Sequence, residues 1–193
     1  EARGRWDLPR DRPVALFFGK LRDEKNLEGF LRAVARIEDP LHVVVAGRGG
    51  GRHRGADHYV ELAERLGLAD RTSFHTRYLD DEEVGELFTA ADWVALPYEE
   101  SFTSQSGVLN VAAHYERPVL VSSAPVLRET VEACDVGVVC EGDDPPQIAA
   151  GIERICRRVM VDHEHAFDTY RQRFGWEENV TRTIETYRRV LTP

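Results

Sequence analysis

"VALFFGKLRDEKNLEGFLRAVARI", residues 14–37, is the stretch that decides the fold. Its first five residues are all apolar, which is typical of a β-strand buried on both faces. Apolar residues then recur every three or four positions, as on one side of an amphipathic helix: Leu27, Phe30, Leu31, Val34 and Ile37. The stretch therefore predicts a buried strand, a short loop and a helix packed against the strand.

The same pattern recurs along the whole chain. Strands are predicted at 14–18, 41–46, 72–76, 93–97, 118–123 and 136–140. Helices are predicted at 26–37, 58–66, 81–90, 104–115, 125–133 and 146–159, with two more in 162–191 that are broken near 174–175. This alternation predicts an α/β fold: a doubly wound, Rossmann-like parallel sheet of about six strands, with helices on both faces. We assign the domain to 14–193 and expect 1–13 to be a linker or a truncated start, because no initiator Met precedes it.

Composition limits the classes of ligand. The chain has 193 residues and a net charge of −9, which disfavours nucleic acid and anionic lipid but still allows a small anionic ligand at a basic site. Three cysteines without metal spacing, and no secretion signal, predict reduced thiols and a cytoplasmic location. The histidines show no metal-binding pattern, so no metal site is predicted.

The loop after the first strand concentrates positive charge. Gly19 permits a sharp turn, and Lys20, Arg22 and Lys25 follow it; the two lysines are the only ones in the chain. Ligands of doubly wound sheets bind at the carboxyl ends of the strands, where this loop lies. We therefore favour an anion site over the alternative, a solvated loop whose basic charge is offset by its acidic neighbours.

The loop after the fourth strand, 97–106, places small polar residues before a helix. Ser104, Gln105, Ser106 and Gly107 surround the helix start, where free N–H groups and the helix dipole attract anions. The alternative is that one of these residues only caps the helix.

Two other loops are less specific. The glycines of 47–51 lack the G-x-G-x-x-G spacing and follow the second strand, so NAD binding is rejected in favour of a flexible turn. Arg77 and Tyr78 are candidates to flank a planar base, although surface exposure explains them equally well.

The segments "FFGKLRDEKNLEGFLRAVARI", "LHVVVAGRGG" and "VGVVCEGDDPPQIAAGI", together with most of residues 62–123, resemble one family in order and spacing. The chain resembles the C-terminal, donor-binding half of a retaining GT-B glycosyltransferase of the glycosyl transferases group 1 family (family 4). The resemblance covers nearly the whole chain from Val14 onward.

The resemblance implies a nucleotide-diphosphate sugar as donor, UDP- or GDP-linked, and no metal or other cofactor. Lys20 and Lys25 match the family's phosphate-binding basic residues, so they are candidates to stabilise charge on the leaving nucleotide. The acceptor, which is unknown, would be bound by a missing N-terminal domain, and any membrane contact would be made there. The isolated chain is then expected to bind nucleotide but to turn over poorly.

One feature departs from the family. The family usually carries two glutamates separated by seven residues, which contact the donor sugar and the ribose. Here Glu100, a candidate catalytic residue, lies in the right loop beside Glu99, but Gly107 and Val108 stand eight positions beyond them. Asn110 or Val111 occupies the helical region where the second glutamate would fall. Glu116 also replaces a glycine that the family usually has.

Three functions remain open from the sequence. The first is the donor-binding domain of a glycosyltransferase. The second is a non-catalytic, glycosyltransferase-like domain that contacts other proteins, which the altered glutamate pair favours. The third is a domain resembling UDP-sugar epimerases, which would release an inverted sugar without an acceptor.

Overall fold

A computed structural model of the chain describes residues 2–158 and 164–191. Six strands form one parallel sheet. They are β1 (Val14–Phe18), β2 (His42–Ala46), β3 (Thr72–His75), β4 (Trp93–Leu96), β5 (Val119–Val121) and β6 (Gly137–Val139).

The strand order is β3-β2-β1-β4-β5-β6, and all neighbours are parallel. The order reverses direction between β1 and β4, which makes this the topological switch point of the sheet. Loops that leave β1 and β4 run to opposite faces, so a crevice opens between them at the carboxyl edge.

The described residues contain nine α-helices and two short 3-10 helices, Asp23–Lys25 and Ala69–Arg71. The α-helices are α1 (Ala2–Arg5), α2 (Leu27–Val34), α3 (Ala56–Arg65), α4 (Asp81–Ala90), α5 (Gly107–His114), α6 (Pro125–Cys134), α7 (Pro145–Arg158), α8 (Glu164–Phe174) and α9 (Trp176–Leu191). One core cluster joins the sheet to α2, α3 and α7, and a second joins it to α4, α5, α6 and α8. Neighbours such as Leu16 and Phe17 point to opposite clusters, as the two-residue period of a strand requires.

The predicted fold class is confirmed, including the six parallel strands and the helices on both faces. The break near 174–175 is also confirmed, because α8 ends at Phe174 and α9 begins at Trp176. The predicted start of the helix at residue 104 was wrong, since α5 begins at Gly107. Residues 159 and 162–163, which were included in predicted helices, lie outside the described residues. None of the described helices is both long enough and apolar enough to cross a bilayer.

The region before β1 contacts the domain body. Arg3 Nη2 forms an ion pair with Asp92 Oδ2 at 2.6 Å, and the Trp6 ring packs edge-on against His75 with 4.8 Å between centroids. Arg3 Nε also donates a hydrogen bond to the Ala90 carbonyl oxygen at 2.9 Å, so α1 lies beside α4. The assignment of 1–13 as a linker or a truncated start stays a prediction.

The turn between α5 and β5 contains Glu116, which stands where the family usually has glycine. Its φ is 54°, in the left-handed region that glycine adopts most easily. Glu116 therefore occupies a backbone conformation that suits the glycine expected from the family pattern. Its carboxylate pairs with Arg171 of α8 at 2.8 Å.

Candidate functional site

A cavity of about 300 Å³ lies at the carboxyl ends of β1 and β4, which is the switch point of the sheet. We call it the switch-point cavity. One wall comes from the loop after β1, with Gly19, Lys20, Arg22 and Lys25. The opposite wall comes from the end of β4 and the start of α5. Its polar members are Tyr98, Gln105 and Ser106. The two loops that the sequence singled out therefore face each other across one cavity.

Lys25 is the buried cation of this cavity. Only 8% of the residue is exposed, and Nζ donates a hydrogen bond to the Phe18 carbonyl oxygen at 3.4 Å. Burial, together with the nearby charge of Arg22, lowers the pKa of Lys25 to about 8. A buried ammonium with so little compensation is stabilised by any anion that enters the cavity. Lys20, by contrast, is exposed at the cavity mouth.

Two glycines allow the loops to approach closely. Gly19 has a φ of 100°, and a Cβ on it would lie 3.0 Å from Lys25 Nζ. Gly47, after β2, has a φ of 133°, and its Cβ would lie 2.1 Å from the Gly19 carbonyl oxygen. A side chain at either position would displace the backbone or the ammonium group.

A second cavity of about 570 Å³ adjoins the first and shares Phe18, Gly19 and Lys20 with it. We call it the glycine-loop cavity, because backbone from Gly47 to Gly51 forms one side. Tyr78 and Arg77, in the loop after β3, form the other side. The two cavities together make one cleft along the carboxyl edge, above β1, β2, β3 and β4.

Arg77 is fixed within the wall of the glycine-loop cavity. Its guanidinium forms two hydrogen bonds with the Glu83 carboxylate, at 2.9 and 2.6 Å. These bonds, together with the bond that Glu83 accepts from the Asp80 backbone N–H, lower the pKa of Glu83 to about 2. Glu83 also completes a capping box with Asp80 at the start of α4. Tyr78 is 72% exposed, so its ring has a free face at the cavity.

The start of α5 offers unpaired N–H groups. Ser106 is the N-cap residue, but its side chain does not cap the helix. Among the described residues, the backbone N–H groups of Gly107 and Val108 have no hydrogen-bond acceptor, whereas that of Leu109 bonds to the Ser106 carbonyl. Both Gly107 and Val108 line the switch-point cavity, so the donors lie at its wall.

Backbone hydrogen bonds fix the part of the loop before α5 that carries Glu99 and Glu100, which do not line the cavity. The backbone N–H of Glu99 bonds to the Glu24 carbonyl at 2.9 Å, and that of Glu100 bonds to Asp143 Oδ2 at 2.9 Å. The helix α5 then begins at Gly107, three residues later than expected. Neither Glu100 nor Ser104 lines either cavity of the cleft.

Asn110 faces away from the cleft. Its Oδ1 accepts a hydrogen bond from the Tyr170 hydroxyl of α8 at 2.5 Å. It lines neither the switch-point cavity nor the glycine-loop cavity. Its suggested contact with a ribose has no support from this geometry and stays a prediction.

The structure thus brings together eight of the eleven candidate residues. Gly19, Lys20, Arg22, Lys25, Gln105, Ser106 and Gly107 line the switch-point cavity, and Tyr78 lines the adjoining one. Sequence reasoning missed Tyr98 and the wall formed by 47–51. The signal for that wall was its place after β2, the neighbour of β1. Within 2–158 and 164–191, no three His, Cys, Asp or Glu side chains are grouped to hold a metal ion.

The fold and the basic cleft define the class of protein: a Rossmann-like α/β domain of the type that forms the C-terminal half of GT-B glycosyltransferases. Residues 12–158 match the family model "Glycosyl transferases group 1", and the chain belongs to this family. The family and the fold implied by the resemblance are therefore confirmed.

Two curated relatives share the name D-inositol 3-phosphate glycosyltransferase. The protein from Salinispora tropica is 31% identical over 96% of this chain and 40% of its own length. The protein from Corynebacterium diphtheriae is 34% identical over 77% of this chain and 35% of its own length. The chain thus spans less than half the length of these relatives.

Solved structures show the same fold at lower identity. A glycosyltransferase from Rickettsia africae superposes with a TM-score of 0.84 at 16% identity, over 98% of this chain and 51% of that one. Anabaena HepE, solved in complex with UDP, superposes with a TM-score of 0.75 at 20% identity, over 95% of this chain and 51% of that one.

Proposed function

We propose that this chain is the donor-binding domain of a glycosyltransferase that transfers a sugar from a UDP- or GDP-sugar with retention of configuration. The diphosphate lies in the switch-point cavity and the nucleoside in the glycine-loop cavity. The acceptor, whose identity stays open, is bound by parts of the enzyme outside this sequence. The observation that carries the proposal is the buried ammonium of Lys25, which lines the same cavity as Gly107 and Val108 at the start of α5.

The charge balance of the cavity favours a diphosphate. Lys20, Arg22 and Lys25 bring three positive charges to a chain whose net charge is −9. The Arg22 guanidinium is partly offset by Glu24, at 3.5 Å. Lys25 has no carboxylate within salt-bridge distance among the described residues, and its pKa is lowered to about 8. An entering phosphate replaces the lost hydration of this ammonium and raises its pKa again.

The same arrangement supports catalysis of glycosyl transfer. When the bond between sugar and diphosphate breaks, negative charge grows on the departing phosphate. Two lysine ammonium groups and the N–H groups of Gly107 and Val108 are positioned to stabilise that charge. Removing one such electrostatic donor typically slows an enzyme by about 10²-fold or more. In this proposal these groups supply the positive charge without a metal ion.

The proposed nucleoside site is supported by the shape and the position of the glycine-loop cavity. The glycine-loop cavity continues directly from the switch-point cavity through Gly19 and Lys20. The ring of Tyr78 offers a stacking surface, and the backbone of 47–51 is accessible without side chains at its glycines. A planar base attached to the diphosphate reaches this space. That HepE was solved with UDP supports the proposal by likeness of fold.

A second candidate function is a non-catalytic domain that retains the fold. The observation in its favour is Glu100, which lines neither cavity, so no carboxylate from that loop is placed for a donor sugar. This candidate predicts no nucleotide affinity.

Calorimetric titration with UDP and GDP separates the two. The proposal expects one of them to bind, and Lys25→Gln to weaken binding about ten- to a hundred-fold, the range for one charged hydrogen bond. Arg36→Gln is the matched control, because Arg36 is exposed beyond the far end of α2 and its loss changes net charge equally. If neither nucleotide binds, or if Lys25→Gln behaves like Arg36→Gln, the donor-site proposal is wrong.

A further inference from the structure

Tyr98, two residues past the end of β4, is a buried part of the wall of the switch-point cavity. It is 1% exposed, and its carbonyl oxygen accepts a hydrogen bond from the Ser122 hydroxyl. Its ring meets Phe102 edge-on, with 4.7 Å between centroids. Burial raises the pKa of Tyr98 to about 12, so the hydroxyl keeps its proton at neutral pH.

The ring of Tyr98 supports one side of the cavity. Lys25 Nζ lies 5.4 Å from the ring centroid, within the range of a cation–π contact. Lys25 otherwise has the Phe18 carbonyl as its hydrogen-bond acceptor. The aromatic face therefore helps to keep the ammonium charged and fixed where hydration is poor.

The hydroxyl of Tyr98 reaches the other side. It lies 3.3 Å from Ser106 Oγ, and both residues are buried. Serine at an N-cap normally accepts a hydrogen bond from the N–H of the second or third helical residue. Ser106 does not cap α5, and the N–H of Val108, the second helical residue, has no acceptor among the described residues. Ser106 is therefore bonded to Tyr98, and its side chain leaves the N–H groups at the start of α5 uncapped.

We propose that Tyr98 is a positioning residue of the diphosphate site: its hydroxyl holds Ser106 away from the start of α5, and its ring holds the Lys25 ammonium opposite. This inference rests on the proposed function and assigns a specific role within it. Without the hydroxyl, Ser106 turns back to cap α5 and competes with phosphate oxygens for the same N–H groups. The ring and the hydroxyl therefore have separable effects.

A double-mutant cycle on UDP affinity tests the hydroxyl. Tyr98→Phe keeps the ring and its packing, so the domain is expected to fold. We expect Tyr98→Phe to raise the Kd for UDP about tenfold with Ser106 present, which corresponds to the loss of about one hydrogen bond to a charged group. In the Ser106→Ala background the same change is expected to alter the Kd less than twofold. An equal loss in both backgrounds, or no loss in either, overturns the inference, because a merely structural tyrosine shows no such coupling.

The ring is tested without nucleotide. The chain has only two lysines, so isotope labelling of lysine gives two NMR signals, and a pH titration follows Lys25 directly. Tyr98→Phe is expected to leave the pKa of Lys25 close to that of the unmodified chain, and Tyr98→Leu to lower it further. An unchanged pKa in a folded Tyr98→Leu variant refutes the role of the ring. If the unmodified chain binds neither UDP nor GDP, the proposed function fails and the inference falls with it. If it binds UDP without the coupling, only the role of the Tyr98 hydroxyl fails.

Discussion

Replacing Lys25 with methionine should stabilise the domain while it weakens nucleotide binding. Burial lowers the pKa of Lys25 from 10.5 to about 8, so the charged form is disfavoured in the folded state. At pH 7 the lysine is charged in both the folded and the unfolded chain. The depressed pKa then corresponds to about 3 kcal/mol of lost stability, at about 1.4 kcal/mol for each pKa unit. Methionine fills similar space without the charge.

The sign of the pH dependence follows from the same shift. Between about pH 8 and pH 10.5 the unfolded chain binds more protons than the folded one, so the stability of the unmodified protein rises with pH. The advantage of Lys25→Met is therefore largest below pH 8 and falls to about 1 kcal/mol or less by pH 10. For a domain of this size, 3 kcal/mol corresponds to a rise in Tm of about 6 to 12 °C at pH 7.

Thermal unfolding at pH 7 and pH 10, with UDP titration of the same samples, provides the assay. Lys20→Met is the matched control, because Lys20 is exposed yet lines both cavities. It should weaken UDP binding with little change in Tm. The reasoning is refuted if Lys25→Met lowers the Tm at pH 7, or if its effect on stability does not depend on pH.

Two further outcomes follow from the geometry. In chemical denaturation, Gly47→Ala should destabilise the domain by several kcal/mol more than Gly50→Ala. Both glycines have positive φ, but only a Cβ on Gly47 would clash with backbone, 2.1 Å from the Gly19 carbonyl oxygen. Similar losses of stability in the two variants would contradict this clash. In an NMR titration, the pKa of Glu83 should rise from about 2 toward its ordinary value of about 4.3 in Arg77→Gln, because the two guanidinium hydrogen bonds that favour the carboxylate are removed. A pKa that stays near 2 would show that the capping box alone sustains the shift.

The sheet could be predicted from the sequence because each strand is specified by its own short stretch of residues. Five of the six strands are short, mostly apolar runs, β3 being the exception, and each lies within one or two residues of its expected bounds. That Lys25 and Ser106 line the same cavity could also be predicted, because parallel strands bring the loops after β1 and β4 to one edge of the sheet.

The details that failed depend on contacts between distant parts of the chain. The helix expected from Ser104 begins at Gly107, and the loop before it is bonded to Glu24 and Asp143, which are distant in sequence. Asn110 lies on the expected helix, but its side-chain oxygen accepts a hydrogen bond from Tyr170 of α8. None of these pairings leaves a periodic signal in the sequence. The roles of Tyr98 and of the glycine loop likewise emerge only when neighbouring strands are assembled.

Both lysines of this chain occupy one loop. In the proposed function, a diphosphate lies between these lysines and the start of α5. The most direct test is an NMR titration of the lysine-labelled chain with UDP. We expect the signals of Lys20 and Lys25 both to shift and to saturate with a single Kd, and the pKa of Lys25 to rise above about 8 in the complex. Nucleotide binding that leaves both lysine signals unmoved, or no binding of either UDP or GDP, would contradict the proposed function.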